Sequence, residues 1–157
     1  MIYKPVTHVL FDMDGLILRV ERLIRHLRDN GVPIGLATSS SKETYDLKVK
    51  NHLGLFDMLK FKTWGSSDPL VKRGKPYSDI FLVAADKFPD KPAPEKVLVF
   101  EDSINGVKAA HSAGMQVVMI PDPRLDRSLA PEATLILNSM VDFRPELFGL
   151  PPYTQPK

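Results

Sequence analysis

The sequence predicts an α/β fold of three layers, with a central, mostly parallel sheet covered by helices on both faces. Two observations predict it. Short continuous apolar runs recur along the chain, among them Val6–Phe11 (VTHVLF), Lys96–Phe100 (KVLVF) and Gln116–Ile120 (QVVMI). Segments of helical periodicity separate them. A strand with one wet face alternates polar and apolar residues, whereas a continuous apolar run marks a strand buried on both faces. Helical crossovers between such strands then cover the sheet twice. The 157 residues suit one domain.

In chain order, Val6–Phe11 is the first strand. Val20, Leu23, Ile24 and Leu27 stand at i, i+3, i+4 and i+7, so 20–30 reads as an amphipathic helix closed by Gly31. Val32–Ala37 is the second strand, with Pro33 tolerated at its start. Ser40 and Glu43 have capping-box spacing and open a helix to about Leu53, stopped by Gly54. A weakly patterned third strand falls at Met58–Thr63, and Ser78 is placed to cap a helix over Asp79–Lys87. Lys96–Phe100 follows as a strand, then a helix over Ile104–Ala113 closed by Gly114, then strands at Gln116–Ile120 and Thr134–Leu137. Residues 1–150 form the expected core, and the Pro-rich 151–157 a loose tail.

Composition excludes several functions. With 43% apolar and 25% charged residues the chain is not built for disorder. A net charge of +2 gives no case for nucleic-acid binding. The absence of cysteine removes disulfides, thiolate metal sites and thiol nucleophiles. No apolar run approaches the ~18 residues of a membrane span. The first residues lack the order of a signal peptide, so a cytoplasmic location is expected and no membrane partner.

In parallel sheets of this kind ligands bind beyond the carboxyl ends of the strands. Asp12 and Asp14 (DMDG) follow the first strand, Thr38 and Ser39 (ATSS) the second, and Glu101 and Asp102 (EDS) the KVLVF strand. Lys75 (GKP) precedes the Ser78 helix. Singly, each is most simply a turn or a helix start. Together they put four carboxylates, two hydroxyls and one ammonium at one edge. Carboxylates crowded in a partly dry cleft call for a hard cation, and oxygen-only donors point to Mg²⁺. Hydroxyls and backbone N–H groups before a helix, with a lysine, suit an anion. The combination reads as a phosphoryl site. The four histidines, His8, His26, His52 and His111, lack ligand-like spacing and read as packing residues.

These residues, in this order, resemble the four motifs of the haloacid dehalogenase-like hydrolases, over almost the whole chain. Within them, FDMDGL, GKPYSDIF and VFEDSINGVKAAHSAGMQVVMIP are most similar to the pseudouridine-5′-phosphatases. The resemblance implies a Rossmann-like core and a phosphomonoester hydrolase acting on a small phosphorylated metabolite, pseudouridine 5′-phosphate or a similar nucleotide or sugar phosphate. It implies Asp12 as nucleophile, forming an aspartyl-phosphate, and Asp14 as acid and base. Thr38 and Ser39 would bind phosphate, Lys75 would hold phosphate and nucleophile, and Asp12, Asp14, Glu101 and Asp102 would bind Mg²⁺. Gly106 would allow close packing beside the site.

The chain departs from its relatives in one place. They carry a helical cap between the first two motifs, whereas here only positions 13 to 37 separate Asp12 from Thr38, room for one crossover and no cap domain. An uncapped site stays wet and loses leaving-group contacts. Two readings therefore stay open: a phosphatase weakened by the missing cap, and a variant that binds phosphate or a partner without turnover. The sequence leaves the oligomeric state open.

Overall fold

The computed structural model describes residues 3–13, 16 and 19–154. Among these residues six strands form one sheet: β1 (His8–Phe11), β2 (Ile34–Thr38), β3 (Phe61–Trp64), β4 (Val97–Glu101), β5 (Gln116–Met119) and β6 (Leu135–Ile136). Their order is β3-β2-β1-β4-β5-β6, and every neighbouring pair is parallel. Among the described residues five α-helices complete it: α1 (Glu21–Asp29), α2 (Lys42–Val49), α3 (Leu53–Phe56), α4 (Asp79–Asp86) and α5 (Ile104–Ser112).

The predicted three layers follow from strand alternation. Val9, Phe11, Leu98 and Phe100 enter one apolar cluster with Leu23, Ile24 and Leu27 of α1. Leu10, Val97 and Val99 enter another with Ile80 and Phe81 of α4 and Val107 of α5. Both faces of the central strands are dry, as the continuous apolar runs require. At Gly35, a Cβ would meet the Phe61 carbonyl oxygen at 2.9 Å, Leu10 Cδ2 at 3.0 Å and Phe88 Cζ at 3.3 Å, so a glycine lets the neighbouring strands and the Phe88 ring approach.

Several boundaries move. The N-cap of α2 is Ser41, not Ser40: its side chain accepts the Thr44 N–H, while the Ser40 N–H turns back to Thr38 Oγ1. The helix ends at Val49, and Gly54 sits inside the separate α3 instead of terminating α2. β3 begins at Phe61, because Met58 and Leu59 are spent burying the turn that closes α3. Ser78 stands at the head of α4 without a side-chain cap bond. Thr38 and Glu101 are the last residues of their strands, not the first beyond them.

Between β1 and β2 the described residues form α1 and no second domain. The segment after β6 returns across the α1 face. Phe143 and Phe148 are buried there, and the Tyr3 and Val6 N–H groups donate to the Leu147 and Phe148 carbonyls. His26 Nε2 lies 2.7 Å from the Pro151 carbonyl, and the Arg22 guanidinium lies over the Tyr153 ring. No described helix is long and apolar enough to cross a membrane.

Candidate active site

Chain order reverses across the sheet at β1. β2 and β3 are laid on one side, β4 to β6 on the other. Loops leaving the carboxyl ends of strands diverge at such a point and open a crevice. Asp12 enters it from β1, its N–H bonded to the Phe100 carbonyl at 3.1 Å. Glu101 closes β4 with Asp102 next to it, Thr38 closes β2, and Lys75 comes in from the loop ahead of α4.

The Lys75 ammonium stands at the centre, its side chain 7% exposed. Nζ donates to Asp12 Oδ1 at 3.0 Å, to Glu101 Oε1 at 2.5 Å and to the Ala37 carbonyl at 3.4 Å. An ammonium has three donors, and the protein takes all three. Lys75 therefore presents its charge, and no spare donor, to the cleft that it lines.

Glu101 is fully buried. Its Oε2 accepts from the Asp102 N–H, the Ser103 N–H and the Ser103 hydroxyl at 3.2, 3.4 and 3.3 Å. Ser103 Oγ in turn caps α5 by accepting the Gly106 N–H at 3.0 Å. A Cβ at Gly106 would overlap the Glu101 carboxyl, so only glycine leaves room for that side chain.

Asp12, Glu101 and Asp102 each bring an oxygen within 4.8 Å of the others. Three carboxylates share one ammonium, leaving two negative charges uncompensated when all are ionised. The titrations follow. Burial raises Glu101 to about 7 against the pull of Lys75, and Asp12 and Asp102 push the same way as burial. Burial and then the Asp12 charge raise Asp102 to about 6. Burial acts downward on Lys75, but Glu101 and Asp12 outweigh it and lift it to about 12. All-oxygen donors with an excess of two negative charges fit one hard divalent cation.

Thr38 is fully buried, and its Oγ1 accepts the Ser40 N–H at 3.2 Å. An open cleft of about 450 Å³ lies above, lined by Ser39, Lys75, Ser103, Ile104 and Asn105. Of the residues named from the sequence, Asp12, Lys75, Glu101 and Asp102 thus meet in one cluster, with Thr38 and Ser39 on the neighbouring strand end. Asp14 lies outside the described residues.

Strand-end reasoning passes over one group, the turn Gly65-Ser66-Ser67. It follows β3 directly and bonds to the Thr38–Lys42 loop: Gly65 N–H to the Thr38 carbonyl, Ser66 Oγ to the Ser39 carbonyl, and Lys42 N–H to Ser67 Oγ. The signal was a Gly-Ser-Ser run just past a weakly patterned strand that was expected at Met58–Thr63.

The family model of the haloacid dehalogenase-like hydrolases matches residues 16–114. The chain belongs to that family. It is 53% identical over 148 residues to a probable pseudouridine-5′-phosphatase of Drosophila melanogaster, covering 94% of this chain and 64% of the fly protein. It is 49% identical over 145 residues to (DL)-glycerol-3-phosphatase 2 of Arabidopsis thaliana, covering 92% of this chain and 60% of the plant protein. The chain thus spans less than two thirds of either relative. In fold it is similar to a haloacid dehalogenase family hydrolase from Deinococcus radiodurans, solved with bound phosphate and sodium. The TM-score is 0.78 at 20% identity, over 95% of this chain and 99% of the other.

Proposed function

We propose that this chain is a Mg²⁺-dependent phosphomonoester hydrolase working through an aspartyl-phosphate on Asp12. Its substrate is a small phosphorylated metabolite such as pseudouridine 5′-phosphate. One observation carries the reading: a buried lysine holds one oxygen of Asp12 beside two further carboxylates at the edge of an open cleft. The fly and plant relatives, named as a probable pseudouridine-5′-phosphatase and as (DL)-glycerol-3-phosphatase 2, support it.

With Oδ1 fixed by Lys75, the other Asp12 oxygen attacks phosphorus, and the bond from phosphorus to the ester oxygen breaks. The leaving alkoxide takes a proton, a role the family resemblance assigns to Asp14. Water then attacks the phosphoryl group, giving its proton to the same carboxylate, and inorganic phosphate leaves Asp12 free. Lys75 offsets the charge gathered on the transferring oxygens. Ser39, which lines the cleft, would bind the phosphate, and the Thr38 hydroxyl, whose oxygen accepts the Ser40 N–H, keeps its own proton to donate to it. Glu101, spent on Lys75 and Ser103, orients the lysine and would support a bound cation through its charge. Mg²⁺, held by Asp12 and Asp102, would neutralise the site and polarise the phosphoryl group.

Hydrolysis of p-nitrophenyl phosphate and pseudouridine 5′-phosphate, with and without Mg²⁺, tests this against Asp12→Asn. The unsubstituted protein is expected to turn over only with Mg²⁺, and the variant not at all. Equal rates from the two proteins would refute it. The uncovered cleft favours the second reading, phosphate binding without turnover, and that reading gains if both proteins bind phosphate and neither hydrolyses.

The raised carboxyls add a pH dependence. A carboxyl raised in the folded state favours the fold below its unfolded value, and that contribution is lost as pH rises through the folded value. In the metal-free protein Asp102 and Glu101 lose it around pH 6 and 7. Mg²⁺ competes with those protons, so its gain in Tm is expected to be larger at about pH 8 than at about pH 5.5. Calorimetry across that range reads it.

A further inference from the structure

We propose that Ser66 is a positioning residue for the anion-binding loop, holding the Ser39 carbonyl out of the cleft so that the Ser39 N–H, not a carbonyl, meets the ligand. The inference rests on the proposed function only for the identity of the anion.

In a trans peptide the carbonyl and the following N–H point opposite ways. The Thr38 carbonyl accepts the Gly65 N–H at 2.7 Å, which turns the Ser39 N–H away from the β3 turn. Among the described residues that N–H has no hydrogen-bond partner, and Ser39 lines the cleft with Lys75. The Ser39 carbonyl accepts the Ser66 hydroxyl at 2.7 Å, which turns the Ser40 N–H the other way, onto Thr38 Oγ1 at 3.2 Å. Two carbonyl dipoles are thus drawn outward at successive peptides. A carbonyl rotated inward would set its negative end against a phosphate.

The turn is shaped for this contact. A Cβ at Gly65 would sit 3.2 Å from the Thr38 carbonyl oxygen and 3.1 Å from Ile80 Cδ1, so a side chain there would push the turn off the loop. Ser67 Oγ accepts the Lys42 N–H at 2.9 Å and fixes the point where the loop enters α2. Ser66 is exposed and touches neither the nucleophile nor the carboxylate cluster. Its hydroxyl does nothing for the apolar core, so its removal is felt in the loop and not in the fold.

The test compares Ser66→Ala and Ser66→Thr with the unsubstituted protein, using inorganic phosphate and p-nitrophenyl phosphate as probes. Titration with inorganic phosphate, followed by the Ser39 and Ser40 amide signals in ¹H–¹⁵N spectra, reads binding whether or not the protein turns over. Ser66→Ala is expected to weaken phosphate binding and raise KM by about threefold to tenfold, the scale of one hydrogen bond. Its kcat and Tm should stay near those of the unsubstituted protein, and Ser66→Thr should restore affinity. If phosphate fails to move the Ser39 amide, or Ser66→Ala binds it unimpaired, or Tm falls in step with affinity, the inference is overturned. If Ser66-dependent binding is seen without any hydrolysis, the hydrolase reading fails and this one stands.

Discussion

Lys75→Met is expected to abolish turnover and to cost about 3–5 kcal/mol of stability, the usual penalty for removing one member of a buried ion pair. Methionine fills most of the space but leaves Glu101, fully buried, without its counter-charge. The penalty has a direction in pH. Glu101 already titrates at about 7 with the ammonium beside it, and without it the carboxyl rises further. Stability held by a raised carboxyl is full below the unfolded value and lost as pH climbs through the folded one. The deficit should therefore be large near about pH 8 and shrink near about pH 5.5, where Glu101 carries its proton. Adding Glu101→Gln to Lys75→Met removes both charges together. The double variant is expected to recover much of the stability and none of the activity. Denaturant unfolding at the two pH values measures the first claim, and p-nitrophenyl phosphate kinetics the second. A Lys75→Met protein equally stable at both would show that the pair is not coupled in this way.

Gly106→Ala is expected to act nearly as strongly through a single methyl group. That methyl would occupy the position of the Glu101 carboxyl. Gly106 lies in the first turn of α5, whose Val107, Ala109 and Ala110 are buried against the sheet, so the backbone has little room to retreat. Glu101 must rotate out, which breaks its bonds to Lys75 and Ser103 together. Overpacking alone costs about 1–3 kcal/mol. Lysine loses its orienting partner as well, so a fall in turnover of at least about 100-fold is expected, the scale of one electrostatic contact in a transition state. Full activity in Gly106→Ala would deny Glu101 the orienting role.

Both expectations turn on contacts that the sequence shows only in part. The central strands and α1 were legible because burial on two faces, or on one helical stripe, leaves a pattern in the letters: β1, β4 and β5 carry the unbroken apolar runs VLF, VLVF and VVM, and Leu23, Ile24 and Leu27 repeat at helical spacing. The edge strands were legible only in part. β6 (Leu135–Ile136) falls inside the expected Thr134–Leu137, whereas β3, half-buried over most of its length, starts three residues after the Met58 expected to open it. The cap of α2 slipped by one because three serines stand in a row and only backbone geometry selects Ser41. The site residues were legible as polar groups after strands, since a parallel sheet collects those at one edge. Their division of labour was not. That Glu101 faces inward to Lys75 while Asp102 stays at the rim depends on strand alternation and on the space left by Gly106, which spacing alone does not reveal. The role of the turn after β3 was hidden.

Trp64 ends β3 one residue before that turn and is the sole tryptophan of the chain. The Lys42 ammonium lies 5.4 Å from its ring centroid, and the Tyr45 ring packs edge-on against it. Its indole fluorescence therefore comes from one place, beside the loop that would grip an anion. Quenching or a shift of that emission offers an optical record of ligand arrival, with no dye and no engineered label.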